Sequence, residues 1–301
     1  YTPLPLAEQD AFVPQSLVEK WILYRLNATA KQLDHDMQQR SFMSATSCVY
    51  NFWLYDLCDV YIEAIKTITD AGAEPAARLS AQHTLYACLD AGLKLLHPFM
   101  PFVTEELWHR LPVRPQETCE TIAHTRFPPW NPTHDFAAEA AQFDDVFASV
   151  RAVRALAADY GLTSKIQAFV EVQNAESRNV LSTQCSVMHT LIKGCESIVC
   201  VSQASEVPAG CVVASVSATI QVHLLVSGLV DFDQELSKLA KKLTLNETQL
   251  QRTVALTQKP DWSKTPEDVR ASTNQRLDDL EAEKAALLKA QANFESLRSS
   301  S

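Results

Sequence analysis

Residues 44–69, SATSCVYNFWLYDLCDVYIEAIKTIT, set Tyr50, Leu54, Leu57, Tyr61 and Ile65 at intervals of three and four. Positions so spaced share one face of a helix, so the stretch reads as a long amphipathic helix with a continuous apolar stripe. Upstream, Leu17, Trp21 and Ala28 recur on the same period from Ser16 to about Arg40. Downstream, the run from Ala71 to Pro75 supplies a break and then an N-terminal proline, so a third helix is expected from Pro75 to Leu96, ended by His97-Pro98. A short fourth helix is expected near Thr104, which suits N-capping, with Glu105 and Glu106 in its first turn and Leu107 and Trp108 as its apolar face. A proline-rich crossing loop at 112–134 leads to a fifth helix, about Phe136 to Tyr160. Long amphipathic helices joined by short connections form a bundle, here over residues 16–160 with 12 basic and 18 acidic side chains.

Around this bundle the period changes. Residues 1–15 carry three prolines and read as a linker. After Gly161, Ile166, Ala168, Val170 and Val172 alternate as a strand, followed by a helix from about Glu176 to Lys193, a strand at 197–202 and two more between Cys211 and Val226. Residues 161–230 therefore read as a small α+β subdomain. From Asp231 a heptad appears, with Leu236, Leu243 and Leu250 seven apart and Leu239 between. A segment at Lys259–Trp262 interrupts it, and Leu277, Leu280, Leu287 and Phe294 form a matching seam. Two such helices predict an antiparallel coiled coil over 231–301. The fold class expected is mainly α: bundle, α+β unit and coiled-coil arm.

The chain has 301 residues, 47% of them hydrophobic, and a net charge of −10, which excludes disorder as its main state and non-specific nucleic-acid binding over its whole surface. Only 6 glycines disfavour dinucleotide-binding and P-loop architectures. No run of 18 apolar residues and no signal-peptide pattern occur, so a cytoplasmic protein without membrane contact is expected. The eight cysteines form no CxxC pair and read as reduced thiols. No metal-ligand spacing, GxSxG or HExxH is found; His97, His109 and His223 read as structural, and adjacent carboxylates such as Glu105/Glu106 and Asp144/Asp145 cannot face each other. The residues show no catalytic constellation.

Trp21-Ile22-Leu23 with Asn27, the run Phe52–Glu63 (FWLYDLCDVYIE) and the run His97–Trp108 (HPFMPFVTEELW) resemble, in order and spacing, the anticodon-binding bundle of class I valyl-tRNA synthetases, most nearly the eukaryotic cytosolic form. Arg151–Leu156 with Asp159–Leu162 resembles that family's fifth bundle helix, and Gly228–Asp231 the start of its C-terminal arm. The family's HIGH and KMSKS motifs are absent, so the resemblance covers only the portion after the catalytic domain. It implies part of a valine–tRNA ligase that carries no catalytic site and no cofactor, with ATP used by a core outside this segment. The implied partners are valine tRNA and the catalytic and editing domains of the same synthetase.

In the resembled fold the far end of the first helix faces the anticodon loop. That implies Lys31, His35, Gln38, Gln39, Arg40 and Phe42 near the bases, with Phe42 as stacker, Gln38 or Gln39 as reader, and Glu106 approaching from the side. A packing role for Phe42 and a solvated helix face for Lys31 and Arg40 remain the alternatives. Trp53, Tyr61, Phe99, Phe102 and Trp108 read as core. Arg151 and Arg154 suit either a phosphate or the acids of the bundle. On the arm, the resemblance implies contact with the outer corner of the tRNA through Lys238, Lys241, Lys242, Arg252, Arg276 and Lys284. The competing reading is a helical coiled-coil adaptor that binds no RNA.

Overall fold

The computed structural model describes residues 1–69, 72–115, 118–227, 232–258 and scattered positions between 270 and 295. A short helix α1 (Leu6–Asp10) precedes α2 (Leu17–Gln38), which Ser16 and Glu19 start with a reciprocal capping box. The Glu19 carboxylate is buried and also accepts from Gln15 N and, across the bundle, Ser80 Oγ at 2.7 Å. Helices α3 (Phe42–Asn51), α4 (Lys66–Thr69), α5 (Pro75–Leu96), α6 (Pro101–Arg110) and α7 (Ala137–Asp159) complete the helical part. Its core joins Ile22, Leu23 and Leu33 of α2 to Phe143, Val146 and Val150 of α7. The Trp21 ring lies 5.0 Å from that of Phe143 and donates Nε1–H to Asp144 at 2.9 Å.

The expected helix at 44–69 is not one α-helix. Between α3 and α4, Phe52–Ile62 is π-helical. The wider turn brings adjacent pairs inward: Asp56 with Leu57, Val60 with Tyr61, and then Ala64 with Ile65 are all buried. Tyr50, assigned by its period to the inner stripe, is 57% exposed, and Leu54 is half-buried. Ala28 is likewise exposed, and Leu26, Ala30 and Leu33 carry the stripe of α2.

α6 starts at Pro101, earlier than expected, with proline at its first position and Met100 as a cap that makes no side-chain bond. Thr104 is therefore no N-cap. It is buried, and its hydroxyl lies 2.8 Å from both Met100 O and His97 Nδ1, which fastens the corner between α5 and α6. The same shift turns Phe102 outward: it is 91% exposed and not part of the core, whereas Tyr61 is buried and Trp53, Phe99 and Trp108 are half-buried.

Strands β1 (Ile166–Val172), β2 (Cys195–Val201), β3 (Cys211–Ser215) and β4 (Ile220–Leu225) form one sheet in the order β2-β1-β4-β3, with only β1/β2 parallel. The crossover between that parallel pair is two helices, α8 (Ala175–Thr183) and α9 (Cys185–Leu191), not the single helix expected. Gln184 has ψ near 4°, and the turn there lets Leu181, Met188 and Leu191 all bury. α7 packs on β3, β4 and α9 as well as on α2. Arg154 on its second half donates Nε–H to Leu191 O at 3.0 Å with Nη2 as a second donor, which takes up the guanidinium expected at a phosphate or an acid.

After the sheet, the described residues form the long helix α10 (Phe232–Thr257). Leu236, Leu243 and Leu250 are half-buried along it, while Asn246 and Thr253 are buried. Asn246 Nδ2 donates to Leu280 O at 3.3 Å, and Glu247 pairs with Lys284 at 2.9 Å. Gly228–Asp231, the side chain of Leu239, the break at Lys259–Trp262, Leu287 and Phe294 lie outside the described residues.

Candidate nucleic-acid interface

The turn from α2 to α3 is built around Asp36, a buried carboxylate. It accepts from Gln32 Nε2 at 2.9 Å and Ser44 Oγ at 2.7 Å, while its backbone carbonyl accepts from Ser41 N at 2.8 Å. Arg40 reverses the chain in the left-handed region, φ +57°. With the backbone so pinned, Lys31, His35, Gln38, Gln39 and Arg40 all stand exposed on the last turns of α2 and the turn itself. Gln38 Nε2 is held by Asp34 at 2.8 Å, and Lys31 Nζ lies 5.8 Å from the Trp130 ring. Phe42 is 57% exposed, so it is not a core residue, and Met43 beside it is more exposed still.

Glu106 stands apart from this group, on α6, where Arg110 Nη2 holds its carboxylate at 2.7 Å. α6 packs on α5 and on the turn at Ile122–His124. Slight burial acts to raise the neighbouring Glu105 carboxyl, but hydrogen bonds from Thr121, the Ile122 N–H and His109 outweigh it and hold it below the usual carboxylate range. Between the two groups runs a groove of about 440 Å³, lined by Thr46, Val49, Tyr50 and Asn51 on one side and Leu96, Phe99 and Met100 on the other. Tyr50, Met100, Phe102 and Leu107 are exposed around it, an apolar and aromatic rim on an acidic molecule. Sequence reading missed Met43 and Met100 and assigned Tyr50 and Phe102 to the core. The signal available was the doubled proline of His97–Phe102, which fixes where α6 starts and so which way Phe102 points.

On α10, Lys241, Lys242 and Arg252 are exposed, as is Arg276 further on. Lys284 is engaged by Glu247, and the side chain of Lys238 lies outside the described residues. Arg151 lies over the Phe147 ring, 5.3 Å from its centroid.

A separate cavity of about 310 Å³ sits between α2, α5 and the loop that crosses at Thr125–His134. Gln9 lines it with a buried amide that has no hydrogen-bond partner. Its one acid, Asp90, is bound by Arg114 Nη2 at 2.9 Å, Lys94 at 3.0 Å and Trp108 Nε1 at 3.0 Å. Burial acts to raise the Asp90 carboxyl, but the two cations outweigh it and hold it below the ordinary range, so it is a fixed anion rather than a base. No group of His, Cys, Asp and Glu able to hold a metal occurs among the described residues, and no helix there is long and apolar enough to cross a membrane.

Residues 19–172 match the anticodon-binding domain of tRNA ligases. The chain is 39% identical over 239 residues to the mitochondrial valine–tRNA ligase of Saccharomyces cerevisiae, covering 79% of this chain and 22% of that protein. It is 35% identical to the valine–tRNA ligase of Rattus norvegicus and 34% identical to that of Homo sapiens, each over 99% of this chain and 23% of the relative. The chain thus spans less than a quarter of the length of these relatives.

Proposed function

Because this chain belongs to the anticodon-binding domain family of tRNA ligases, we propose that it is the tRNA-recognition portion of a valine–tRNA ligase. It binds the anticodon of valine tRNA at the α2–α3 turn and the outer corner of the same tRNA through its arm. The observation that carries the reading at the bundle is the exposure of Phe42 and Met43 at the α2–α3 turn, with Lys31 and Arg40 exposed on the same end of α2 and Tyr50 and Met100 lining the groove beside α3. Unstacked bases are held on such planes while cations take the phosphates. Glu106 and Gln38 supply polar groups for base edges.

The arm is an antiparallel helix pair in this proposal, supported by the bond from Asn246 to Leu280 and the pair Glu247–Lys284. Lys238, Lys241, Lys242, Arg252 and Arg276 then face RNA phosphates, with Lys284 serving the pairing of the helices first. Aminoacylation with ATP belongs to a catalytic core outside this chain, and the chain itself takes no cofactor. We assign it to the cytoplasm.

The test is a salt series of binding to valine tRNA, to the same tRNA with a foreign anticodon, and to one with altered elbow loops. Loss of affinity for the second RNA supports reading at the bundle, and loss for the third supports the arm. Equal, salt-insensitive binding of all three overturns the proposal in favour of the adaptor.

A further inference from the structure

Cys185 opens α9 and Cys200 lies in β2, and their sulfurs are 3.8 Å apart. The fold makes this juxtaposition: Cys200 pairs with Val170 in the register of β1 and β2 and shares with it the face that α8 and α9 cover, while the turn at Gln184 aims Cys185 back onto that face. Both thiols are free and half-buried, so a small oxidant reaches them.

We infer that Cys185 and Cys200 form an oxidation site that takes hydrogen peroxide and closes to an intramolecular disulfide. The sulfur–sulfur hydrogen bond favours the thiolate of Cys185, lowering it to about 7 against the opposing effect of burial, and keeps the proton on Cys200. The Cys185 thiolate attacks one peroxide oxygen; an S–O bond forms, the O–O bond breaks, and the departing oxygen takes up a proton and leaves as water. The Cys200 sulfur then attacks the Cys185 sulfenic acid. The S–S bond forms as the S–O bond breaks, the Cys200 proton leaves with the hydroxyl, and a second water is released. Two thiols are oxidised and one peroxide is reduced to two waters. Cys58 provides the internal comparison: it is exposed, but burial of its sulfur and the charge of Asp59 push its thiol up.

The full chain is exposed to equimolar hydrogen peroxide, alkylated, digested with trypsin and mapped by mass spectrometry. Lys193 separates Cys185 from Cys200, so the disulfide joins the 179–193 and 194–238 peptides with loss of two hydrogens, and fragmentation distinguishes Cys200 from Cys195 and Cys211. The expected result is this cross-link, formed about tenfold faster than Cys58 is consumed. In Cys200→Ser, Cys185 stops at the sulfenic acid and is trapped by dimedone; in Cys185→Ser, Cys200 stays reduced. Consumption of Cys58 first with Cys185 and Cys200 still alkylatable, or a cross-link to Cys195 or Cys211 instead, overturns the inference. The map of the unmutated chain decides the matter even where a serine variant fails to fold.

Discussion

Asp90 shows how one side chain organises several elements at once, because its carboxylate is shared by Arg114, Lys94 and Trp108. Asp90→Asn leaves the buried Arg114 guanidinium without its counter-charge and is expected to cost about 3–5 kcal/mol of stability, read by urea unfolding. The folded carboxyl titrates below its ordinary value, so its stabilisation is complete above about pH 4 and is lost as pH falls through the lower folded value. Below about pH 4 the midpoint of the unmutated chain should therefore fall more steeply than that of the variant. Phe42 is the opposite kind of residue. Being mostly exposed, its change to alanine should alter stability by less than about 0.5 kcal/mol. Stacking of a base on it is worth about 1–3 kcal/mol, so the affinity for valine tRNA should drop about tenfold in filter binding; an unchanged affinity removes Phe42 from the site. At this scale the sequence pointed to residue types, and the structure leaves them exposed at the end of α2. It did not reveal partners such as Asp34 for Gln38, because a hydrogen bond depends on rotamers that spacing leaves open.

Among elements, the π-helical run Phe52–Ile62 packs closely on α5 at Gly92, which has no side chain. Trp53 donates Nε1–H to the Gly92 carbonyl at 3.3 Å, and a Cβ on Gly92 would lie 2.9 Å from the indole. Gly92→Ala should overpack this contact and cost about 1–3 kcal/mol, visible as a lower melting temperature and altered tryptophan fluorescence. Periodicity foretold α2, and prolines and breaks marked α5, because these signals are local, but the period at 44–69 was blind to the π register. The same limit explains Thr104, where a corner bond to His97 overrode the local capping preference. On α10, Lys241 and Lys242 are exposed neighbours. Reversing both to glutamate should weaken RNA binding whatever the anticodon and lower the salt slope by about two, whereas an unchanged slope assigns the affinity elsewhere.

The whole molecule is tied together by α7. Lys20 pairs with Glu139 and Trp21 with Asp144, so its first half lies beside the start of α2, while the helix also packs on β3, β4 and α9. A chain ended at Tyr160 uncovers that second contact surface and should bind a hydrophobic dye and be cut within α7 by protease, unlike a chain ended at Ser227. Sequence showed that two patterns meet near Gly161, but not that one helix serves both, because the helical stretch and the strand alternation each look complete alone. The chain runs from Asn131 beside Asn27 back to Glu139 beside Lys20, so α7 starts beside the first turns of α2, at the end away from Phe42. The rise of α2 from Lys20 to Gln38 sets that start roughly 27 Å from the α2–α3 turn. An RNA gripped at the α2–α3 turn that also reaches the start of α7 must bridge the jaws of a caliper whose opening is the packed length of α2, so it is gauged by its folded dimensions before any of its bases is read.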